Sequence, residues 1–179
     1  MDAQTMRVMM SSKSHTWTTP KWFFDAVERL FVENHGGGFD LDAAASLENH
    51  LAPKFYTATD DALSKPWRER VWCNPPYGDL APRFILKAYR ESLLGAVVAV
   101  LVPVRTDTKA WHEVVSKASE IRLIKGRLKF GESTDPAPFP SALAIFERAS
   151  SDRRVIFWDP SDENLSFPFM TLGAQDGAI

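Results

Sequence analysis

The chain has 179 residues, of which 45% are hydrophobic and 25% charged, a net charge of −2 and one cysteine. This length and composition predict one soluble globular domain, and the single cysteine excludes an internal disulfide and a cysteine-cluster zinc site. No apolar run approaches membrane-spanning length, and the first 14 residues lack the apolar core of a signal peptide, so we expect no membrane partner and a cytoplasmic location. The four histidines show no close metal-ligand spacing, so we expect no metal.

The predicted elements begin with a helix. Thr19 is suited to the N-cap and Pro20 to the first helical position, and an apolar stripe follows until the glycines at 36–38. Asp79 and Asp107 are the predicted N-caps of two later helices, the first of them running from 81 to about 94. Strands are predicted at 71–73, 96–102, 121–124, 141–146 and 155–158, with one at 39–45 that runs into a tight turn, a short helical turn at 46–51 and a possible short strand at 54–57.

This order of elements predicts the fold class. Strands that alternate with helices favour an α/β fold with a mostly parallel sheet, and the last strands, which have no helix between them, predict an antiparallel hairpin that closes it. We expect a flexible N-terminus at 1–14, a single domain at 15–160 and a polar C-terminal tail at 161–179.

Two polar signals follow predicted strands. Asp42 lies at the end of one strand, and Asn-Pro-Pro-Tyr at 74–77 comes directly after another. Ligands of open parallel sheets bind beyond the carboxyl ends of the strands, so we expect both signals to meet in one cleft. For Asp42 the alternative is a cap on the following helix.

The tetrapeptide has a specific chemistry. The oxygen of the Asn74 side chain can accept a hydrogen bond from an exocyclic amine, and prolines fix the backbone so that its carbonyls can point into a cleft. Tyr77 offers a flat ring for stacking. These groups predict a grip on a planar amino-heterocycle; the alternative is a strand stopped by a Pro-Pro turn, with Tyr77 in the core.

Charge is unevenly distributed along the chain. The segment 105–129 carries seven Lys or Arg residues against three acids, whereas five acids and two arginines follow position 150. A weakly acidic protein can still bind a polyanion through one basic face. The alternative is an ordinary solvated helix and hairpin.

With these motifs in place, the chain resembles the adenine-N6 DNA methyltransferases, and most closely the small phage and prophage Dam family, over about 17–146. The similarity rests on Trp-Thr-Thr-Pro-Lys-Trp-Phe-Phe at 17–24, Phe-Asp-Leu-Asp-Ala-Ala at 39–44, Asp-Ala-Leu at 61–63 followed by Trp67, and Asn-Pro-Pro-Tyr at 74–77. It implies a class I (Rossmann-like) methyltransferase sheet, S-adenosyl-L-methionine as methyl donor without a metal, and duplex DNA as partner. It also implies a monomer that works in a bacterial host or a phage-infected cell.

The resemblance implies a role for each motif. The catalytic residues would be Asn74, Pro75, Pro76 and Tyr77, which would hold the amine of a flipped-out adenine in line with the methyl group. The implied donor-binding residues are Trp17, Thr19, Pro20, Asp40, Asp42, Ala43, Ala44 and Asp61. The implied DNA-binding residues are Lys125, Arg127, Lys129 and Phe130. Core packing is the commoner role for Trp17, and an equally good one for Phe130.

The chain also departs from the wider class. The turn after the first strand usually contains glycines, whereas here it reads Asp-Ala-Ala-Ala-Ser, so a helix N-terminus is expected to approach the donor instead. The acid that binds the donor ribose is either Glu48 or Asp60. No insertion provides a target-recognition domain, so short loops would read the DNA sequence. Two alternatives stay open: an enzyme of the same fold that methylates a glutamine side chain or an RNA base, and a non-catalytic nucleic-acid-binding domain.

Overall fold

The computed structural model describes residues 17–131, 133–148, 153–162 and 170–171. The predicted flexible N-terminus at 1–14 and most of the predicted polar tail at 161–179 lie outside these residues. None of the described helices is long and apolar enough to cross a lipid bilayer.

The described residues contain three α-helices, eight strands and two short 3-10 helices. The α-helices are α1 (Lys21–His35), α2 (Ala81–Leu93) and α3 (Lys109–Glu113). The strands are β1 (Leu41–Asp42), β2 (Lys54–Phe55), β3 (Arg70–Cys73), β4 (Val97–Pro103), β5 (Glu120–Ile124), β6 (Ser141–Phe146), β7 (Arg154–Trp158) and β8 (Met170–Thr171). The 3-10 helices are Ala58–Asp60 and Val115–Lys117.

All eight strands belong to one sheet, in the order β2-β1-β3-β4-β6-β5-β7-β8. The pairs β1–β2, β1–β3, β3–β4 and β5–β7 are parallel, which confirms the predicted α/β class with a mostly parallel sheet. The antiparallel strand β6 lies inside the sheet, between β4 and β5, instead of closing its edge. Its six residues are all buried, as a central position requires.

The sheet is covered on both faces, as the apolar run of β4 predicts. Val98, Val100 and Val102 pack on one face with residues of α2, whereas Ala99 and Leu101 pack on the other with α1. Alternate strand residues point to opposite faces, so this seven-residue strand contributes to both halves of the core.

Three predicted N-caps are each displaced by one residue, although α2 begins at Ala81 as predicted. The N-cap of α1 is Pro20 instead of Thr19, and no side chain caps it. The N-cap of α2 is Leu80 instead of Asp79, and that of α3 is Thr108, whose hydroxyl accepts a hydrogen bond from the N–H of Trp111. For α1, the reason lies in the site described below, where the Thr19 hydroxyl has another partner.

Candidate active site

A cavity of about 550 Å³ opens at the carboxyl ends of three neighbouring strands. Because β1 pairs in parallel with β2 and β3, the residues that follow these strands meet at one edge of the sheet. The volume lies in the usual range of small-molecule and cofactor pockets, roughly 300–1,000 Å³. The cavity is lined by residues 17–19, 42–46, 56–58, 61–63 and 74–77, together with Asn49, Leu51, Trp72, Leu80, Arg83 and Phe84. The expected meeting of Asp42 and Asn74 in one cleft is therefore confirmed.

Asp42 is a buried carboxylate in the cavity wall. Its side-chain oxygens accept hydrogen bonds from the N–H groups of Ala44 (3.2 Å) and Leu51 (3.1 Å), so it also shapes the turn that follows β1. Burial raises the pKa of Asp42 to about 6, although these two bonds and nearby His50 oppose the rise. A carboxylate in this position favours a cationic ligand, because a positive charge would offset the cost of its burial.

Small side chains leave room beside Asp42. The backbone N–H groups of Ala43 and Ala45 are used by the carbonyls of Trp72 and Tyr56, and that of Ser46 by the side chain of Asn49. The helical turn expected at 46–51 is present as a single turn, in which the N–H of Asn49 donates to the carbonyl of Ser46 at 3.4 Å. No helix begins there, so the expected approach by a helix N-terminus is wrong. The cavity is bounded here by methyl groups rather than by free amide donors.

Asn74 has a fixed orientation. Its Nδ2 donates to the backbone carbonyl of Trp17 (2.7 Å) and to the hydroxyl oxygen of Thr19 (3.1 Å). Its Oδ1 is buried and has no hydrogen-bond partner among the described residues. Since most buried polar atoms are paired, a lone acceptor in a cavity wall indicates a ligand that donates a hydrogen bond.

Aromatic rings surround Tyr77. Its ring lies edge-on to that of Trp17, with centroids 5.1 Å apart, and it also contacts Phe139 at 5.4 Å and Phe130 at 6.3 Å. Burial raises the pKa of the Tyr77 phenol well above its usual value, so the group stays neutral. Tyr77 thus packs on the core and also lines the cavity, whereas its stacking on a ligand stays a prediction.

Most of the predicted donor-site residues line this one cavity, but two do not. Trp17, Thr19, Asp42, Ala43, Ala44 and Asp61 lie along it together with 74–77. Pro20 lies outside, where its carbonyl accepts from the first turn of α1. Asp40 also lies outside and forms an ion pair with Arg70 at 2.9 Å. The placement of these two residues at the donor site stays a prediction that the cavity lining does not support.

Neither candidate for the ribose-binding acid lines the cavity. Asp60 is tied to Thr57, whose backbone N–H and hydroxyl both donate to it, and the Thr57 side chain lowers the pKa of Asp60. Glu48 is exposed and accepts a hydrogen bond from Ser46. Asp61, which lies next to Asp60 in a left-handed backbone conformation, does reach the cavity.

The basic segment 125–131 follows β5, which ends at Ile124, and runs to the cavity wall. The side chains of Lys125, Arg127 and Lys129 are exposed, whereas Phe130 is only 4% exposed and contacts the ring of Trp17. Phe130 is thus a core residue that supports the aromatic wall, which corrects its expected place at the DNA.

These three cations differ in their surroundings. Lys125 pairs with Asp159 at 2.8 Å, and this contact raises the pKa of Lys125. Arg127 makes one long contact of 3.5 Å to the carbonyl of Ala137, and Lys129 is exposed. Arg127 and Lys129 therefore offer more available charge than Lys125.

Sequence reasoning missed several cavity residues. Asn49 and Thr57 lie where no local pattern marks them, and they reach the cavity because β1 and β2 bring their segments together. Leu63 belongs to the Asp-Ala-Leu motif at 61–63 but was given no role. Arg83 is exposed on α2 and also borders the cavity, because α2 starts at Ala81, four residues after Tyr77. Its spacing of six residues from Tyr77 is the one signal that could have identified it.

Cys73 precedes the tetrapeptide and is fully buried, and burial raises its thiol pKa well above the usual value. A buried thiol of this kind is unreactive. Within the described parts of the chain, no group of three or more His, Cys, Asp or Glu residues is arranged to hold a metal ion.

Comparison with known proteins adds three findings. A family model for DNA N-6-adenine-methyltransferase (Dam) matches residues 8–164. The chain is 35% identical over 153 residues to the DNA N-6-adenine-methyltransferase of Haemophilus phage HP1 (strain HP1c1), an alignment that covers 77% of this chain and 86% of the relative. It is 33% identical over 116 residues to the DNA N-6-adenine-methyltransferase of Escherichia phage T1, which covers 63% of this chain and 45% of that relative. The family match includes every residue that lines the cavity.

Proposed function

The chain belongs to the DNA N-6-adenine-methyltransferase (Dam) family, and from this premise we propose that its cavity transfers a methyl group from S-adenosyl-L-methionine to N6 of a flipped-out adenine in duplex DNA. Membership of this family makes the chain a methyltransferase that acts on adenine in DNA. The extrusion of the base and the residue roles below are the proposal.

The observation that carries the proposal is the lone acceptor Oδ1 of Asn74. The exocyclic amine of adenine has two hydrogens, one of which suits this oxygen and the other the carbonyl of Pro75. Two acceptors on one amine would restrict the direction of the nitrogen lone pair. Such alignment of reacting groups is a large source of rate acceleration.

The other end of the cavity fits the methyl donor. This donor carries a sulfonium and an ammonium group, both positive, and the buried carboxylate of Asp42 is in the cavity wall. The methyl side chains of Ala43 and Ala44 leave space, and Asp61 is the acid available for the ribose hydroxyls. When bound, the donor supplies a methyl group already activated by its positive sulfur.

Tyr77 provides the face on which the extruded base stacks. The target amine is inaccessible within a duplex, so the nucleotide has to leave the helix and its lost stacking has to be replaced. Base–aromatic stacking contributes about 1–3 kcal/mol per base, and the rings of Trp17 and Phe139 hold Tyr77 in place. The neutral phenol takes no part in proton transfer, since the amine can lose its proton after methylation.

Exposed cations near the cavity would hold the DNA backbone. Arg127 and Lys129 precede Gly131, whose N–H donates to the carbonyl of Thr18 in the cavity wall at 2.9 Å. Lys125 would add to this contact, but less strongly because of its pairing with Asp159. We propose further that the enzyme acts as a monomer in the cytoplasm of a bacterial host or phage-infected cell, since both relatives come from phages of bacteria.

The test is to identify the methylated product. The purified full chain is incubated with donor labelled in its methyl group and, in separate reactions, with unmethylated duplex DNA, RNA and a protein mixture. We expect label in N6-methyladenine after the DNA is digested to nucleosides. Label in methylglutamine or in RNA bases, with none in the DNA, would contradict the proposed function.

A further inference from the structure

Residues 17–19 form a strap that passes over the tetrapeptide 74–77. Ring packing and one hydrogen bond hold this strap: the ring of Trp17 packs on Tyr77 and Phe130, and the carbonyl of Thr18 accepts from the N–H of Gly131 at 2.9 Å. On its C-terminal side the strap continues into α1, which begins two residues after Thr19. Both ends of the strap are therefore held by contacts that do not involve Asn74. It can act as a rigid support for the side chain below it.

The strap determines which end of the Asn74 amide faces a ligand. A backbone carbonyl can only accept, so the atom of Asn74 that lies 2.7 Å from the carbonyl of Trp17 must be the amide nitrogen. The second hydrogen of the same nitrogen is directed to the hydroxyl oxygen of Thr19 at 3.1 Å. With both hydrogens in use, the only group of Asn74 left for a ligand is the acceptor Oδ1.

Thr19 makes this contact with Asn74 instead of capping the helix that follows it. A threonine just before a helix usually caps it by accepting a backbone N–H, yet α1 has no side-chain cap. The hydroxyl oxygen of Thr19 instead accepts from a residue 55 positions away. The sequence-based assignment of Thr19 to the donor also leaves this bond unexplained.

We propose that Thr19 is a positioning residue for the acceptor amide: its hydroxyl oxygen holds the Asn74 side chain so that Oδ1 receives the amino group of the target base. This inference rests on the proposed function and assigns Thr19 a part in aligning the acceptor rather than in holding the donor. Its effect therefore belongs to the methyl-transfer step. Donor affinity should depend on it little.

The test compares Thr19→Val with Thr19→Ser. Valine has the shape of threonine but lacks the oxygen, whereas serine keeps the oxygen and lacks the methyl group. In single-turnover assays with duplex DNA, we expect Thr19→Val to slow methyl transfer roughly ten-fold, with donor affinity from calorimetry changed less than about two-fold, and Thr19→Ser to recover most of the rate. In an Asn74→Ala background the Thr19→Val change should have no further effect, because the amide that it orients is absent.

Three kinetic outcomes would overturn the inference. They are an unchanged rate in Thr19→Val, a loss that appears as weaker donor binding at an unchanged rate, and a full Thr19→Val effect in the Asn74→Ala background. The second of these would restore the assignment of Thr19 to the donor.

A second readout does not depend on activity. In NMR spectra of the isotope-labelled full chain, the two side-chain amide protons of Asn74 should exchange slowly with solvent. One of them should exchange several-fold faster in Thr19→Val and return to the wild-type rate in Thr19→Ser. Exchange that is the same in all three proteins would overturn the inference, even if DNA were not the substrate. Failure of the wild-type enzyme to methylate DNA, with the exchange pattern as expected, would instead count against the proposed function alone.

Discussion

At the scale of single residues, the site depends on an amide whose nitrogen is hydrogen-bonded and whose oxygen is buried without a partner among the described residues. The two hydrogen bonds from Asn74 to the strap require a donor at that position. A carboxylate cannot donate, and its oxygen would face the carbonyl of Trp17 at the distance of a hydrogen bond. The identity of residue 74 is therefore set by its surroundings as well as by its substrate.

This gives a direct prediction for Asn74→Asp. We expect methyl transfer to fall about 100-fold or more, because electrostatic repulsion from the carbonyl of Trp17 would displace the side chain. Single-turnover rates measure the effect, and thermal unfolding with a bound donor analogue verifies that the variant is folded. An Asn74→Asp enzyme as fast as wild type would mean that the bonds to the strap do not matter.

Asp42 gives a pH dependence. Its pKa of about 6 in the folded chain exceeds the ordinary value of 3.8, so its contribution to stability is fully present below pH 4 and is lost as the pH rises through 6. At about 1.4 kcal/mol per pKa unit, the loss is on the order of 3 kcal/mol. A cationic ligand stabilises the ionised form, so its affinity should rise over the same pH range.

The prediction is tested with a cationic, non-transferable donor analogue such as sinefungin. Calorimetry from pH 5 to 8 should show tighter binding by wild type as the pH rises through 6, and a much flatter profile for Asp42→Asn. The unfolding free energies of the two proteins should diverge over the same interval. A wild-type binding profile as flat as that of Asp42→Asn would remove Asp42 from the donor site.

At this scale the sequence predicted the identity of the cavity residues more successfully than their individual roles. The chemistry of 74–77 and the position of Asp42 were evident because both lie at strand ends. The role of Thr19 was not evident, because its partner is 55 residues away and a Thr-Pro pair before a helix looks like a cap. The ion pair of Asp40 was also not evident, because its partner, Arg70, belongs to the neighbouring strand.

At the scale of elements, the loop that follows β2 is held against α2 by one buried acid. Glu91 of α2 accepts from the backbone N–H of Trp67 at 3.2 Å and pairs with Lys87 one turn earlier. The indole N–H of Trp67 donates to the carbonyl of Ala62, which itself lines the cavity. The position of this cavity wall therefore depends on the contact between the loop and the helix.

We predict that Glu91→Ala lowers the free energy of unfolding by about 3 kcal/mol, because it leaves a largely buried lysine and a buried N–H without partners. The matched control is Glu113→Ala on α3. This change breaks a Lys–Glu pair of the same spacing whose side chains are 83% and 59% exposed, and it should cost less than about 1 kcal/mol. Urea denaturation measures both, and equal losses would show that burial of the Glu91 pair is unimportant.

Elements with a strong local pattern were predicted well. The apolar run of β4 and the stripe of α1 were recognisable because each is long enough to show its period or its burial on both faces. The position of β6 within the sheet was not recognisable, because strand order depends on contacts between distant segments. The segment 46–51 makes a single turn and no longer helix, because the side chains of Asn49 and Asp42 accept the backbone N–H groups of Ser46 and Leu51.

At the scale of the whole molecule, a net charge of −2 means that DNA affinity has to come from one local surface. The basic segment 125–131 adjoins the cavity through Gly131, and its cations are not equivalent. Lys125 is already paired with Asp159, whereas Arg127 makes only a long contact to a carbonyl. The charge count of the sequence could not separate these cases, since Asp159 is 34 positions away.

We therefore predict different salt dependences. Each phosphate contact contributes about 0.9 to the slope of log affinity against log salt, so the double variant R127A/K129A should lower the slope by roughly 2. Lys125→Ala is the matched control and should change the slope by less than the contribution of one phosphate contact, about 0.9. Fluorescence anisotropy with a duplex at several salt concentrations measures both slopes. A larger effect from Lys125→Ala than from R127A/K129A would contradict the proposed DNA contact at Arg127 and Lys129.

The central claim is that Asn74 receives the amine of adenine in a cavity whose donor end is separate. The most direct measurement is single-turnover methyl transfer to duplex DNA by wild type and Asn74→Ala, with donor affinity measured by calorimetry on the same preparations. We expect transfer by Asn74→Ala to fall at least 100-fold while the donor dissociation constant stays within about three-fold of wild type. Transfer that persists in Asn74→Ala, or donor binding that is lost with it, would contradict the claim.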